Sequence, residues 1–292
     1  MKTILITGTS KGIGLSTAIT LGRAGHKVYA TMRNPENAKA FKDQISSEKL
    51  PIIIMKMDVD SDASVDKTVK NILAENQTID VLINNAGIER HGSIEEMPLS
   101  DIKAIMNTNY FGVIRCVKAV LPSMRTHKNG LIINVASVAG HVASSPLGAY
   151  AASKFALEAI SEALAQEVKP FNIKVNIVEP GIIDTSMARN IGDAGDSIYP
   201  HSYRFAGMFT ASLKTPTPPA LVADLMLDLV NQETEKLRHP VGPDAIPFIE
   251  WRASMSDEEW VNWNSADDAT WYKSVEEVFG LDARLTDKKE TV

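Results

Sequence analysis

Thr3-Ile4-Leu5-Ile6-Thr7-Gly8-Thr9-Ser10-Lys11-Gly12-Ile13-Gly14 is the stretch on which the fold turns. Its first five residues are an apolar run suited to a buried strand, and the residues after Ile13 carry the Ala and Leu spacing of a helix. The reading is strand, glycine turn, helix. Such a turn lets main chain approach a ligand where a Cβ would collide, and it aims the free N–H groups of a helix start at a negative charge, for which a pyrophosphate is the natural guest. The spacing Gly-x-x-x-Gly-x-Gly differs from the commoner Gly-x-Gly-x-x-Gly fingerprint. Taken alone, it also suits a tight turn that binds nothing.

Outward from this turn, apolar runs recur at residues 27–32, 51–59, 79–84, 131–137 and 173–179, with a short one near 237–241, and helical patterns lie between them. Continuous runs suit strands covered on both faces, and strand–helix alternation implies right-handed crossovers in a parallel sheet. The expected fold class is therefore α/β, a single doubly wound Rossmann-type domain over residues 1–242 with a mainly parallel sheet of about seven strands. Helices are expected at 13–24, from Asn34-Pro35 onward, and at 61–76, 100–125 and 147–168. Residues 186–219 lack a clear period and hold Tyr199, Tyr203, Phe205 and Phe209, which suits a substrate lid. Residues 243–292 form an acidic extension containing all four tryptophans, with Ser256 placed to cap a helix bearing Trp260 and Trp263.

Bulk properties narrow the function. The net charge of −6 belongs to the tail, because residues 250–292 hold eleven acids and five bases. A neutral body with an acidic tail offers no electrostatic footprint for nucleic acid. No apolar run approaches the roughly 20 residues that cross a bilayer, so no membrane insertion is expected. One cysteine, Cys116, excludes an internal disulfide framework and a cysteine metal cluster; no metal site is expected. The start carries no leader pattern, and a cytoplasmic location is expected.

The chemistry concentrates in Tyr150-Ala-Ala-Ser-Lys154. Two titratable groups four apart on a helix share one face, and an ammonium nearby favours the phenolate of a tyrosine that otherwise titrates at about 10. By itself this spacing is more often an exposed pair on an amphipathic helix. Its companions decide the matter. Gly8, Gly12 and Gly14, then Asn84-Asn85-Ala86-Gly87, Asn109, Ser137, Tyr150 with Lys154, and Pro180-Gly181 together resemble the short-chain dehydrogenase/reductase family, over about residues 2–242.

The resemblance implies hydride exchange between a nicotinamide cofactor and a carbonyl or alcohol carbon. It makes Tyr150 the acid/base, has Ser137 bond the substrate oxygen and has Lys154 hold the nicotinamide ribose and lower the tyrosine pKa. It has Asn109 order a proton-relay water. It also implies cofactor contacts from Gly8, Ser10, Lys11, Gly12, Ile13 and Gly14 in the turn, from Asp58 and Val59, from Asn85, Ala86 and Gly87, and from Pro180, Gly181, Ile183 and Thr185. Asn84 is implied to steady the sheet. Residues 25–34 and Val178-Glu179-Pro180-Gly181 look most like the branch holding retinol and 17β-hydroxysteroid dehydrogenases and bacterial carbonyl reductases.

Charge indicates which cofactor. After the second strand stands Thr31-Met32-Arg33, where an acid would suit the 2′-hydroxyl of NAD. Arg33 offers a fork suited to a phosphate and Lys11 adds a second charge, so NADP is expected over NAD. Ser137, His141, Val142, Ser144, Leu147, Met187 and residues 89–91 are expected to wall the substrate, an apolar or bulky carbonyl or alcohol compound. A ketoacyl-thioester reductase and a non-catalytic NADP-sensing regulator are the competing readings. A homo-oligomer paired through the two long helices is expected.

Overall fold

Seven apolar runs pair as parallel strands in the order β3-β2-β1-β4-β5-β6-β7. The structure is a computed structural model that describes residues 1–192, 196–232 and 234–285. Its elements are β1 (Thr3–Thr7), α1 (Gly12–Arg23), β2 (Lys27–Met32), α2 (Lys39–Glu48), β3 (Ile52–Lys56), α3 (Asp62–Asn76), β4 (Val81–Asn84), α4 (Leu99–Met106), α5 (Gly112–His127), β5 (Gly130–Val135), α6 (Gly148–Val168), β6 (Ile173–Pro180), α7 (Ser186–Asn190), α8 (His201–Ser212), α9 (Pro219–Asn231), β7 (Arg238–Val241), α10 (Ala245–Ala253), α11 (Asp257–Ser265) and α12 (Asp268–Phe279). Among the described residues no helix is long and apolar enough to cross a membrane.

The unbroken apolar character of the strands follows from a core on each face of the sheet. Val69, Ile72, Val120, Met124 and Leu157 of α3, α5 and α6 cover one face, and Ala18, Leu21, Phe41, Val222 and Met226 of α1, α2 and α9 cover the other. Two buried asparagines tie the centre together: Asn84 Nδ2 donates to Asn134 Oδ1 at 2.8 Å, and Asn134 Nδ2 donates to Ser161 Oγ at 2.8 Å. Strand order reverses between β1 and β4, and a crevice opens at the carboxyl ends of the strands there.

Local signals act where they were expected. Gly25, at φ +83°, ends α1, and Ser61 Oγ accepts from the Ser64 N–H to cap α3. The helix expected over 100–125 is present from Leu99 to His127 and carries one π turn: at Asn107–Phe111 the path from α4 into α5 widens by one residue, with the Gly112 N–H bonded to Asn107 O. Gly112 packs on Val59, where a Cβ would come within 3.0 Å, and Arg115 reaches back to Asn107 Oδ1 at 2.9 Å.

Residues 186–219, expected as an irregular lid, contain the helices α7 and α8; residues 193–195 lie outside the described part. A single apolar stripe is missing from this stretch because α8 is buried on more than one side, with Ser202, Arg204, Phe205, Ala206 and Gly207 all enclosed. The extension supplies α10, α11 and α12, and its residues 286–292 are likewise outside the description. Ser256 and Glu259 form a reciprocal capping box at the start of α11.

Candidate active site

The glycine turn is built by exclusion. Gly8 and Gly12 take φ of +72° and +60°, a region L side chains rarely adopt. A Cβ on Gly8 would lie 2.7 Å from the Ala86 main chain, and one on Gly14 would overlap both Gly8 O and Asn85 Nδ2. Thr7 Oγ1 accepts from the N–H groups of Asn85 and Ala86 at 3.0 and 2.9 Å, while Asn85 Nδ2 donates to Thr7 O and Gly8 O. The two loops are thus fastened edge to edge, with the start of α1 open to the crevice.

From that turn a cavity of about 530 Å³ runs along the carboxyl ends of the strands. Its wall contains Gly8, Ser10, Lys11, Gly12, Ile13, Gly14, Arg33, Asp58, Val59, Asn85, Ala86, Gly87, Ser137, Tyr150, Lys154, Pro180, Gly181, Ile183 and Thr185. Leu147 and Met187 line it too. A dinucleotide fits this shape: bare main chain at one end, exposed Lys11 and Arg33 beside it, and no anionic partner for either cation among the described residues.

Ser137 follows β5 in extended conformation; its Oγ accepts from the Ala139 N–H at 3.1 Å and donates to Pro180 O at 3.5 Å. It also meets the Tyr150 hydroxyl. Lys154 is buried; its Nζ donates to Val135 O at 2.8 Å and lies 5.5 Å from the centre of the Tyr150 ring. Burial pushes its pKa down to about 8, opposed by the charge of Glu158.

Tyr150 departs from expectation. Its pKa is raised, chiefly by burial, with Ser137 opposing and the Glu89 charge adding to the rise. The Lys154 ammonium, which was expected to lower it, is bonded to the Val135 carbonyl.

Of the expected site and wall residues, Arg90, His91, His141 and Asn109 lie outside the cavity wall. His141 turns away from the pocket: its Nε2 meets Glu179 Oε1 at 2.7 Å, and that buried carboxylate raises its pKa. Glu158 lies in the same cluster, and Arg238 Nε bonds its Oε2 at 3.0 Å. The guanidinium supplies the positive charge that these buried acids require. Asn109 sits in the π turn, where its side chain spends three bonds on Ile88 N, Ile88 O and Ser153 Oγ at 2.8–3.0 Å. It thereby fixes the loop that carries Gly87 and Glu89.

Other wall residues were not identified from sequence. Asp244, just past β7, takes the Ile182 N–H at 2.7 Å and shapes the loop after Pro180; the signal was Gly242-Pro243-Asp244 at the carboxyl end of a parallel strand. Phe248, Phe279 and Leu281 of the extension close the outer end, facing Phe205, Met208 and Phe209 of α8.

The extension is fastened in three ways. Trp260 Nε1 donates to Ala143 O at 2.8 Å, and Arg204, only 4% exposed, bonds Asp268 Oδ1, Asn264 O and Ala266 O at 2.7–3.1 Å. Gly207 lets the chain near Ala283 lie directly on α8, where any Cβ would overlap the Ala283 carbonyl oxygen. Gly207→Ala is therefore expected to lift this segment, lower the melting midpoint by about 5 °C and move tryptophan emission to the red. An unchanged midpoint and spectrum would mean that the segment docks elsewhere.

The chain matches a family model described as short chain dehydrogenase over residues 2–196. It is 38% identical over 249 residues to a 3-ketodihydrosphingosine reductase of Bacteroides thetaiotaomicron, covering 82% of this chain and 87% of that protein. Among solved structures it is similar to a short-chain dehydrogenase from Streptomyces avermitilis, with TM-score 0.76, 30% identity and coverage of 90% and 96%. A gluconate 5-dehydrogenase from Burkholderia cenocepacia, solved with NADP and tartrate, gives TM-score 0.67 at 27% identity, with coverage of 78% and 87%. Sequence motifs, sheet order and these matches agree, and the chain belongs to the short-chain dehydrogenase/reductase family of nicotinamide-dependent oxidoreductases acting on CH–OH groups.

Proposed function

We propose that the protein is an NADP(H)-dependent oxidoreductase that interconverts an apolar or bulky ketone or aldehyde and its alcohol, with Tyr150 as acid/base. The observation that carries this is the shared cavity: Ser137, Tyr150 and Lys154 face one space, with the glycine cradle at one end and an apolar wall at the other. The bound cofactor supplies or accepts the hydride. Ser137 and Tyr150 direct two hydroxyls at one substrate oxygen. Burial keeps the phenol protonated at neutral pH, which suits a proton donor to that oxygen. Lys154 stands ready for ribose hydroxyls and for the charge that develops when the phenol gives up its proton. With its side chain committed to Ile88 and Ser153, Asn109 would contribute to proton relay through its main chain. NADPH oxidation with a panel of ketones and aldehydes tests the reading; cofactor binding with no turnover across that panel would favour a sensor.

Arg33 and Lys11 support NADP over NAD, as exposed cations on the cavity wall without a carboxylate partner among the described residues. Arg33→Ala is expected to cut the NADPH:NADH ratio of kcat/KM by about tenfold, the scale of a charge-assisted bond to phosphate. Equal turnover of the two cofactors by the unaltered enzyme would sink this. Exposed Phe111 and Phe155, on the π turn and on α6, support pairing of two copies through these helices; solution mass measures it.

A further inference from the structure

Glu89 stands out on the substrate side of the cavity. The other charged wall residues are placed elsewhere: Lys11, Arg33, Asp58 and Asp60 toward the cofactor cradle, Lys154 at Val135 O, and Asp244 at Ile182 N. The Glu89 side chain is only 5% exposed, and its partner among the described residues is His91 Nδ1 at 3.2 Å, a cation only when that imidazole is protonated. No arginine or lysine among the described residues pairs with it; neighbouring Arg90 turns to Asp101. An enclosed carboxylate is costly unless a cation or several donors meet it.

The loop does not need Glu89 to hold its shape. Asn109 already clasps Ile88 through two bonds, and the Gly92 N–H donates to Pro146 O at 3.0 Å. The carboxylate is also close enough to act on the reacting group, since its charge adds to the rise in the Tyr150 pKa. A cation bound beside it would cancel that effect.

We propose that Glu89 recognises substrates carrying a protonated amine close to the reacting carbonyl or carbinol carbon, with an apolar chain running toward Phe205, Phe248 and Phe279. This rests on the carbonyl–alcohol reading above. The ammonium donates to the Glu89 carboxylate while the reacting oxygen meets Ser137 and Tyr150, so the substrate is held at two polar points and along one apolar wall. Glu89 is then a specificity-determining residue, and an amino alcohol or amino ketone is preferred over the same chain without nitrogen.

The test compares oxidation of 1-aminooctan-2-ol and octan-2-ol by the NADP-loaded enzyme. The expected kcat/KM ratio is about 30 in favour of the amino alcohol, the scale of a desolvated charged pair, and it collapses toward one in Glu89→Gln. Glu89→Asp, with the charge kept on a shorter arm, retains part of it. For octan-2-ol, the acid limb of the rate profile moves to lower pH in Glu89→Gln, because the carboxylate no longer disfavours the phenolate; a purely structural role would leave it in place. A ratio near one in the unaltered enzyme, or a ratio that survives Glu89→Gln, overturns the proposal. If neither alcohol reacts, the carbonyl–alcohol reading fails, and calorimetry with octylamine and octan-1-ol decides the role of Glu89 separately. Tighter octylamine binding that is lost in Glu89→Gln sustains it, and no such difference overturns it.

Discussion

Tyr150→Phe is expected to lower turnover by about a thousandfold while cofactor affinity stays within about twofold. The substitution keeps the ring, which packs beside Leu147, Ile191 and Phe205, and removes only the hydroxyl that meets Ser137. The cradle formed by Gly8, Gly12 and Gly14 is untouched. Loss of rate without loss of binding is therefore what a proton-donor role requires. Steady-state NADPH oxidation together with a fluorescence titration of NADPH measures both quantities. A phenylalanine variant that keeps a tenth or more of the rate would rule out Tyr150 as the acid/base.

Lys154→Met is expected to lower turnover by at least about a hundredfold and, at pH 7, to raise stability. Burial brings the lysine from its ordinary 10.5 down to about 8, so the folded state disfavours the ammonium. That penalty is present in full below pH 8 and is relieved as pH rises from 8 toward 10.5, a displacement worth about 3 kcal/mol. Methionine removes the penalty but leaves the Val135 carbonyl without its donor, which costs about 1 kcal/mol. The net gain of about 2 kcal/mol corresponds to a melting midpoint about 5 °C higher at pH 7. The gain should shrink in melts repeated at pH 9.5. A variant less stable than its parent at pH 7, or a gain indifferent to pH, would show that the ammonium is not strained by its surroundings.

Much of the frame was legible because its signals are local. The runs at 3–7 and 27–32 coincide with β1 and β2, and the turn between β1 and α1 announced itself through glycines, of which Gly8 and Gly14 have their Cβ positions taken by other main chain. Helix geometry puts Tyr150 and Lys154 on one face, and the companion motifs, from the glycine turn through Asn84–Gly87, Asn109 and Ser137 to Pro180-Gly181, singled them out. His141 was misplaced because what turns it, buried Glu179, comes from a strand that sequence spacing does not link to it. The π turn inside the helix at Asn107–Phe111, flanked by Gly112 on Val59 and by Arg115 at Asn107 Oδ1, depends on partners that are not written into the helical pattern. The outer wall was the least legible part. It depends on pairings as distant as Trp260 with Ala143 and Arg204 with Asp268, which have no period to betray them.

The glycine-turn end of the cavity is carried by β1, β2, β4, β5, β6 and α6, whereas the far end is lined by Phe205, Met208 and Phe209 of α8 together with Phe248, Phe279 and Leu281, which come after the last strand. Substitutions at Phe248, Phe279 and Leu281 are expected to change what enters while leaving the glycine turn, Tyr150 and Lys154 in place. A new specificity is thus expected to be reachable by variation confined to the segment after β7, with the residues of the glycine turn, Tyr150 and Lys154 held constant.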